Sequence, residues 1–342
     1  MNELKPEIKL SYITGLREVV LGEISKYQDI HVIREDTDSL YLDFVQNFIL
    51  IKNLRSIARA YIIEQDSKYN PPYISNHKST LGNLIELVLN DNKNKFKSFK
   101  ITCAGSDSSE VRGIAKYIQE TYGLVEKKEA DLKIHIIKTN NMWEIGVQIT
   151  PRPLSVRDYK MRNMSGAMDP TVAYAVNSFC ELEKAKSYLN IFSGSATLLI
   201  EAAQCYPNIK QLTGFDNDKK HLSLAIQNIK KAELIKKIQL KEGNIFDKPN
   251  LGTFDVITSD LPFGMSVSKG ENLEKLYRCF IKYCENVMGE EGKLVVYTSE
   301  HKILEEIISK SRFDVLKTLE LRFMTSVNAY LRPKIFVCKL KK

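Results

Sequence analysis

Phe254-Asp255-Val256-Ile257-Thr258-Ser259-Asp260-Leu261-Pro262-Phe263-Gly264 is the stretch on which the fold of this chain turns. Val256 and Ile257 are β-branched and apolar, as a buried central strand requires. Asp260 falls where that strand should end. Pro262 cannot continue a sheet ladder, and Gly264 admits dihedrals closed to other residues. The stretch predicts a strand, a carboxylate and a rigid turn at the carboxyl edge of a sheet, where open α/β sheets bind their ligands.

The turn presents two acceptors, the Asp260 carboxylate and a Leu261 carbonyl forced by Pro262, and one aromatic face, Phe263. That set suits an exocyclic amine on a base. The amine lone pair is delocalised into the ring, and two acceptors holding both N–H groups favour the pyramidal amine of a transition state. Phe263 offers the base a stacking surface.

Working outward, helices and strands alternate from Asp169 onward. Helices are predicted over 171–184, 198–205, 219–231, 273–287 and 302–311. Strands are predicted over 187–192, 211–215, 238–242, 254–259, 293–298, 315–324 and 334–340. This alternation predicts a mostly parallel, doubly wound sheet, with the last two strands as an antiparallel hairpin at one edge.

Four strand ends then share one crevice. The small-residue turn Ser193-Gly194-Ser195-Ala196-Thr197 opens a helix and turns its backbone N–H groups toward an anion. Asp216, followed by Asn217, lies about 20 residues further on, the spacing at which an acid reaches ribose hydroxyls. Asn244 and Ile245 follow the third strand and can meet an adenine edge, and Asp260 ends the fourth. The turn lacks the third glycine of a nicotinamide fingerprint, and no phosphate-cradling G-x-x-x-x-G-K-[ST] loop is present.

The first half reads differently. Residues 1–66 follow the strand-helix-strand-strand-helix-strand order of a ferredoxin-like unit. Tyr69-Asn70-Pro71-Pro72-Tyr73 punctuates the chain, and 67–150 carries a second α+β pattern. Lys93, Lys95, Lys97 and Lys100 interleave with Phe96 and Phe99, reading either as an RNA-phosphate patch or as a solvated edge. Residues 151–170 hold Arg152, Arg157, Lys160 and Arg162 beside two prolines. They read as an exposed basic linker, in contact with phosphate or simply a hinge.

Composition sets outer bounds. The chain has 342 residues, 43% of them hydrophobic, and a formal net charge of +8, which points to a polyanionic partner. Its six cysteines form no C-x-x-C pair and read as reduced thiols of a cytoplasmic protein. The five histidines show no metal-ligand spacing, so no metal is expected. Neither a signal peptide nor a membrane span is expected. The oligomeric state is left open, with a monomer preferred.

Asp169-Pro170-Thr171, the Ser193–Thr197 turn running into Leu199-Ile200-Glu201-Ala202-Ala203, Gly214-Phe215-Asp216 and Asp260-Leu261-Pro262-Phe263-Gly264 together resemble the class I S-adenosylmethionine-dependent methyltransferases that modify guanine N2 in RNA. Gly105-Ser106-Asp107, Ala130-Asp131-Leu132 and Pro153–Tyr159 resemble the THUMP RNA-binding module. The resemblance implies a Rossmann-like methyltransferase domain over 171–342, preceded by ferredoxin-like and THUMP units. It implies S-adenosylmethionine held by Thr171, Asn190, Ser193–Thr197, Asp216, Asn217, Asn244, Ile245 and Asp260. Asp260, Leu261, Pro262 and Phe263 would receive the guanine. It further implies tRNA as substrate, methylated at guanosine 6 of the acceptor stem, with the THUMP unit gripping the 3′ CCA end. A ribosomal RNA guanine, or an RNA-binding protein with a degenerate methyltransferase domain, are the alternatives.

The family usually has Asp at the position of Asn190 and Gly at that of Ala196. A helix is expected to begin near Thr197, and residues entering a helix have negative φ, so Ala196 is expected to fit without strain.

Overall fold

A computed structural model describes residues 6–44, 47–91, 95–139, 142–161, 166–263, 273–326 and 329–341. Lys93, Arg162 and Gly264 lie outside the described residues. The chain divides into two compact units, one of residues 1–12 and 20–155, the other of residues 13–19 and 156–342.

The first unit contains β1 (Glu7–Ser11), α1 (Arg17–Ile24, which begins in the second unit), β2 (Val32–Asp36), β3 (Ser39–Leu42), α2 (Ile49–Lys52) and β4 (Arg59–Asp66). It continues with α3 (Lys78–Asp91), β5 (Ser98–Cys103), α4 (Ser109–Tyr122), β6 (Val125–Glu126), β7 (Leu132–Thr139) and β8 (Met142–Gln148). Its eight strands form one sheet in the order β2-β3-β1-β4-β8-β7-β5-β6. The antiparallel pairing of β4 with β8 joins strands from both sides of the Tyr69–Tyr73 punctuation. Helix α4 shows how the sequence sets its limits. The Ser108 side chain accepts from Val111 N at the start, and Gly123, at φ +67°, ends it in the left-handed region. Between them Val111, Ile114, Ala115 and Ile118 recur at helical spacing and are buried.

The second unit follows the alternation read from sequence. Its elements are α5 (Pro170–Ser178), β9 (Ser187–Ile191), α6 (Thr197–Cys205), β10 (Gln211–Asp216), α7 (Lys219–Lys231), β11 (Ile238–Glu242) and β12 (Phe254–Asp260). Next come α8 (Leu273–Val287), β13 (Met288–Thr298), α9 (His301–Ser309), β14 (Phe313–Glu320), β15 (Phe323–Ser326), β16 (Ala329–Leu331) and β17 (Lys334–Leu340). The seven-stranded sheet runs β11-β10-β9-β12-β13-β17-β14. Strands β9 to β13 are parallel to one another, and β17 is antiparallel to both β13 and β14. The expected antiparallel pair at one edge is present as β14 and β17, with β17 inserted between β13 and β14. The run expected as one strand over 315–324 is broken after Glu320 and leads into a separate two-stranded ribbon, β15–β16.

Strand order reverses between β9 and β12, and the crevice of an open α/β sheet opens at such a reversal. The core beneath it is made by Leu189, Ile191 and Ile257 on the sheet and by Leu276, Tyr277 and Phe280 on α8. Among the described residues no helix is long and apolar enough to cross a membrane.

Candidate active site

A cavity of about 490 Å³ lies at the carboxyl ends of β9, β10, β11 and β12. That volume falls within the usual range for a small-molecule site. Asn190, Ser193, Gly194, Ser195, Thr197, Asp216, Asn217, Asn244 and Ile245 line it on one side, and Asp260, Leu261, Pro262 and Phe263 on the other. The two residue sets read separately from the sequence therefore face one space. Thr171 and Ala196 are fully buried and do not line it. The Thr171 amide and hydroxyl both donate to Asp169, which caps α5, so Thr171 belongs to that cap.

The turn after β9 is tighter than the sequence implied. Phe192, Gly194 and Ala196 alternate in the left-handed region, at φ +57°, +51° and +64°. The expectation of negative φ at Ala196 is wrong. Thr197 is the first helical residue, and Ala196 is the cap before it, bent back so that its N–H donates to Ser193 O at 2.8 Å. An alanine in that region costs roughly 1–2 kcal/mol relative to the right-handed one. The expectation that the turn directs its amides at an anion also needs correction. Ser193 N donates to Phe215 O at 3.1 Å, and Gly194 N donates to Asp216 Oδ2 at 2.8 Å. The protein's own carboxylate occupies the place of the anion.

Asp216 is the joint of this half. Its second oxygen accepts from Asp218 N at 2.9 Å, and Asp218 in turn caps α7 through Lys220 N and His221 N. Asn190 ties β9 to β12 by donating its side-chain amide to Thr258 O at 3.2 Å, a bond that an ionised aspartate could not make. Asn244 accepts from Phe246 N through its side chain and from Asp247 N through its backbone carbonyl, so each oxygen has one lone pair left for a ligand.

On the opposite wall, Leu261 N donates to Tyr297 O at 2.9 Å. The Tyr277 hydroxyl donates to Pro262 O at 2.8 Å, and Phe263 packs on Tyr297 with ring centroids 5.6 Å apart. These contacts fix the turn without using the Asp260 side chain. Burial pushes the Asp260 carboxyl up from 3.8 to about 8, and the Lys160 ammonium pulls it back.

Lys160 was read as part of an exposed basic linker, and the structure corrects this. The Arg157–Met161 segment is strapped onto the second unit. Arg157 Nε and the Tyr159 hydroxyl both donate to Glu201 Oε1, at 3.1 and 2.8 Å, and Glu201 on α6 is fully buried. Met161 N donates to Asn228 Oδ1 at 3.1 Å, while Asn228 Nδ2 holds Ser195 O at 3.0 Å. Arg157 is therefore a partner in an internal ion pair. Lys160 is half-buried, with Nζ donating to Met168 O at 2.9 Å. Desolvation lowers its affinity for the proton, while Asp169, Glu201 and Asp260 raise it. Of the remaining cations, Arg152, Lys95 and Lys97 are exposed and Lys100 is half-buried. Phe96 and Phe99 between the lysines are buried, so they offer no stacking surface.

Sequence reasoning missed Phe192, His221, Phe246 and the lip Gly166-Ala167-Met168, all of which line the cavity. Phe246 carries a readable signal, an aromatic beside Asn244-Ile245. The lip does not, because small residues before a helix cap are common in any loop.

A sheet of this order, with its crevice at the strand reversal, defines the Rossmann-like fold of class I methyltransferases. The chain belongs to the family described as RMKL-like, methyltransferase domain, which matches residues 157–327, or 171 of its 342 residues. The structure of TrmN from Thermus thermophilus is similar over 98% of this chain and 99% of that one, with a TM-score of 0.75 and 19% identity. Among curated proteins, the U6 snRNA (guanine-N(2))-methyltransferase THUMPD2 of Mus musculus is 25% identical over 215 residues, covering 59% of this chain and 39% of the relative. The tRNA (guanine(6)-N2)-methyltransferase of Archaeoglobus fulgidus is 23% identical over 212 residues, covering 54% of each. The chain thus spans about half, or less, of the curated relatives it matches.

Proposed function

We propose that this protein is an S-adenosylmethionine-dependent RNA methyltransferase that forms N2-methylguanosine. The observation that carries the reading is one cavity with an acidic joint, Asp216, on one wall and Asp260-Leu261-Pro262-Phe263 on the other. The charges favour this ligand class over phosphate-bearing nucleotides. Among the described residues Asp216 and Asp218 face the cavity beside Lys219, and Asp260 adds a third negative charge when a bound cation ionises it. The Gly194 amide, which would have to bind a phosphate, is taken by Asp216. A nucleoside carrying a sulfonium fits such a lining, because a cation is attracted where a phosphate is repelled.

Asp216 would hold the ribose hydroxyls, with Asn217 beside it, and Asn244 and Ile245 the adenine. Bound S-adenosylmethionine supplies a methyl group already activated by its sulfonium. The protein's task is positioning. Asp260 and the Leu261 carbonyl accept from the guanine amine, and Phe263, braced by Tyr297, clamps the base. A cation beside Asp260 lowers the carboxyl's pKa and brings it to the ionised, better-accepting form. The base must leave its stem first, at a cost of a few kcal/mol.

We favour tRNA as the RNA, with guanosine 6 as the target. The Archaeoglobus relative's name supports this; the THUMPD2 name points to U6 snRNA instead. The residues of 67–150 would serve as a THUMP-type RNA grip, with Lys95, Lys97 and Lys100 toward phosphate, joined by Arg152 of the segment that follows. Incubation with labelled S-adenosylmethionine and separate tRNA, U6 snRNA and ribosomal RNA, followed by nucleoside mass spectrometry, tests the reading. N2-methylguanosine in tRNA is expected. Label in adenosine, or in no RNA while the cofactor binds, would overturn it.

A further inference from the structure

The β15–β16 ribbon, which no part of the reading above uses, stands in register with the candidate site. Asp260 on β12 is paired with Tyr297 on β13, Tyr297 with Ile335 on β17, and Ile335 with Leu319 on β14. One row across the sheet thus links Asp260 to the root of the ribbon, which leaves β14 after Glu320 and returns to β17 at Lys334. Three strand spacings of about 4.8 Å put that root about 14 Å from Asp260 along the carboxyl edge. This is the rise of about four stacked nucleotides.

The root is clamped. Leu321 N donates to Pro333 O at 2.9 Å, and Arg322 N donates to Thr14 O at 3.0 Å. Gly15, at φ +103°, lies so close that a Cβ there would meet Glu320 O at 2.2 Å. A two-stranded ribbon is marginal by itself, so a clamped root gives it a fixed direction. Met324 and Tyr330 stand opposite each other in the register and so share one face, 73% and 41% exposed. The Arg322 guanidinium lies 3.7 Å from the centre of the Tyr330 ring. Residues 321–333 contain Arg322 and Arg332 and no acidic residue.

We propose that this ribbon grips the RNA strand a few nucleotides from the methylated guanine, with the Arg322–Tyr330 pair as a stacking platform for an unpaired base. An exposed aromatic backed by a guanidinium binds any base by its face, and the Arg322 charge suits a phosphate backbone, Arg332 being paired with Glu320 at 3.8 Å. The proposal rests on the RNA reading above, and its test separates the two.

Binding of a fluorescently labelled tRNA transcript to the full chain is measured for wild type, Tyr330→Ala, Tyr330→Phe and Arg322→Ala. Titration with S-adenosylmethionine and methyl transfer are followed in parallel. Tyr330→Ala should weaken RNA binding about tenfold, the scale of one lost base–aromatic stack. Tyr330→Phe should keep wild-type affinity. Arg322→Ala should weaken binding and make its salt dependence shallower by about one unit of slope. Cofactor affinity should not move, because none of these side chains lines the cavity. Unchanged RNA affinity in Tyr330→Ala, or no binding of the transcript by wild type, overturns the proposal and leaves the ribbon to a protein partner. Binding that depends on Tyr330 without methyl transfer keeps the grip and overturns the methylation reading instead.

Discussion

The Gly194 amide donates to the Asp216 carboxylate at 2.8 Å, joining the end of β10 to the turn after β9. The bond makes the Asp216 carboxylate part of the fold of the cavity. A bond to an ionised acceptor contributes about 1.5–3 kcal/mol. Asp216→Ala should therefore lose stability on that scale as well as cofactor affinity. Asp216→Asn can still accept from Gly194 but turns its NH2 toward the Asp218 amide, so it should recover only part of the stability and little of the affinity. Thermal melts and calorimetric titration of the three proteins check this, and equal stability in Asp216→Ala and wild type would count against the joint.

Asp260 should make the protein less stable as pH rises. Its carboxyl moves from 3.8 when exposed to about 8 in the fold, so the folded state holds the proton that the unfolded state has released. The neutral-carboxyl contribution is complete below about pH 4 and is lost as pH rises through about 8. Asp260→Asn removes the titration. It should raise the melting temperature at pH 9 and change it little at pH 4, while cutting methyl transfer about 10²-fold or more, as loss of a positioned charge-stabilising group does. A variant with unchanged melting at both pH values, or with wild-type turnover, would remove Asp260 from its role.

Lys160 tests the strap. It is tied to Met168 O and is the charge that opposes the burial of Asp260. Lys160→Met should shift the alkaline rise of kcat/KM to higher pH, because Asp260 then ionises with less help. Lys160→Arg should bring it back toward wild type. If Lys160→Met changes only thermal stability and leaves the pH profile in place, the lysine holds the lip and does nothing for Asp260.

What the sequence disclosed and what it hid differ by how local the cause is. Asp260, Pro262 and Asp216 were legible because a strand end, a ladder-breaking residue and a 20-residue spacing are properties of short stretches. The strap was not, because Arg157, Tyr159 and Met161 take their partners from Glu201 and Asn228, residues 42 to 67 positions later. A segment with prolines and cations but no apolar period looks solvated until those partners are in place. The ribbon was hidden for another reason. The β-rich composition of 315–324 continues through Leu321 and Arg322, and only the clamp to Thr14 and Pro333 shows where the sheet strand stops.

Ala196 provides the last test. Its φ of +64° is closed to most side chains, and the pair of left-handed residues before it, Phe192 and Gly194, leaves the turn no room to rotate it out. The side chain is fully buried and does not line the cavity, so its methyl group strains the backbone without blocking a ligand. Ala196→Gly exchanges that strain for the greater entropy of an unfolded glycine, and the strain is the larger effect at positive φ. The variant should be more stable by about 1 kcal/mol, or about 2–4 °C in melting temperature for a unit of this size. Affinity for S-adenosylmethionine should rise by no more than about tenfold, or about 1.4 kcal/mol. Calorimetric titration of both proteins decides the matter. If wild type shows no binding and Ala196→Gly restores it, the strained turn has disabled the site, and the protein is an RNA-binding relative of the methyltransferases rather than one of them.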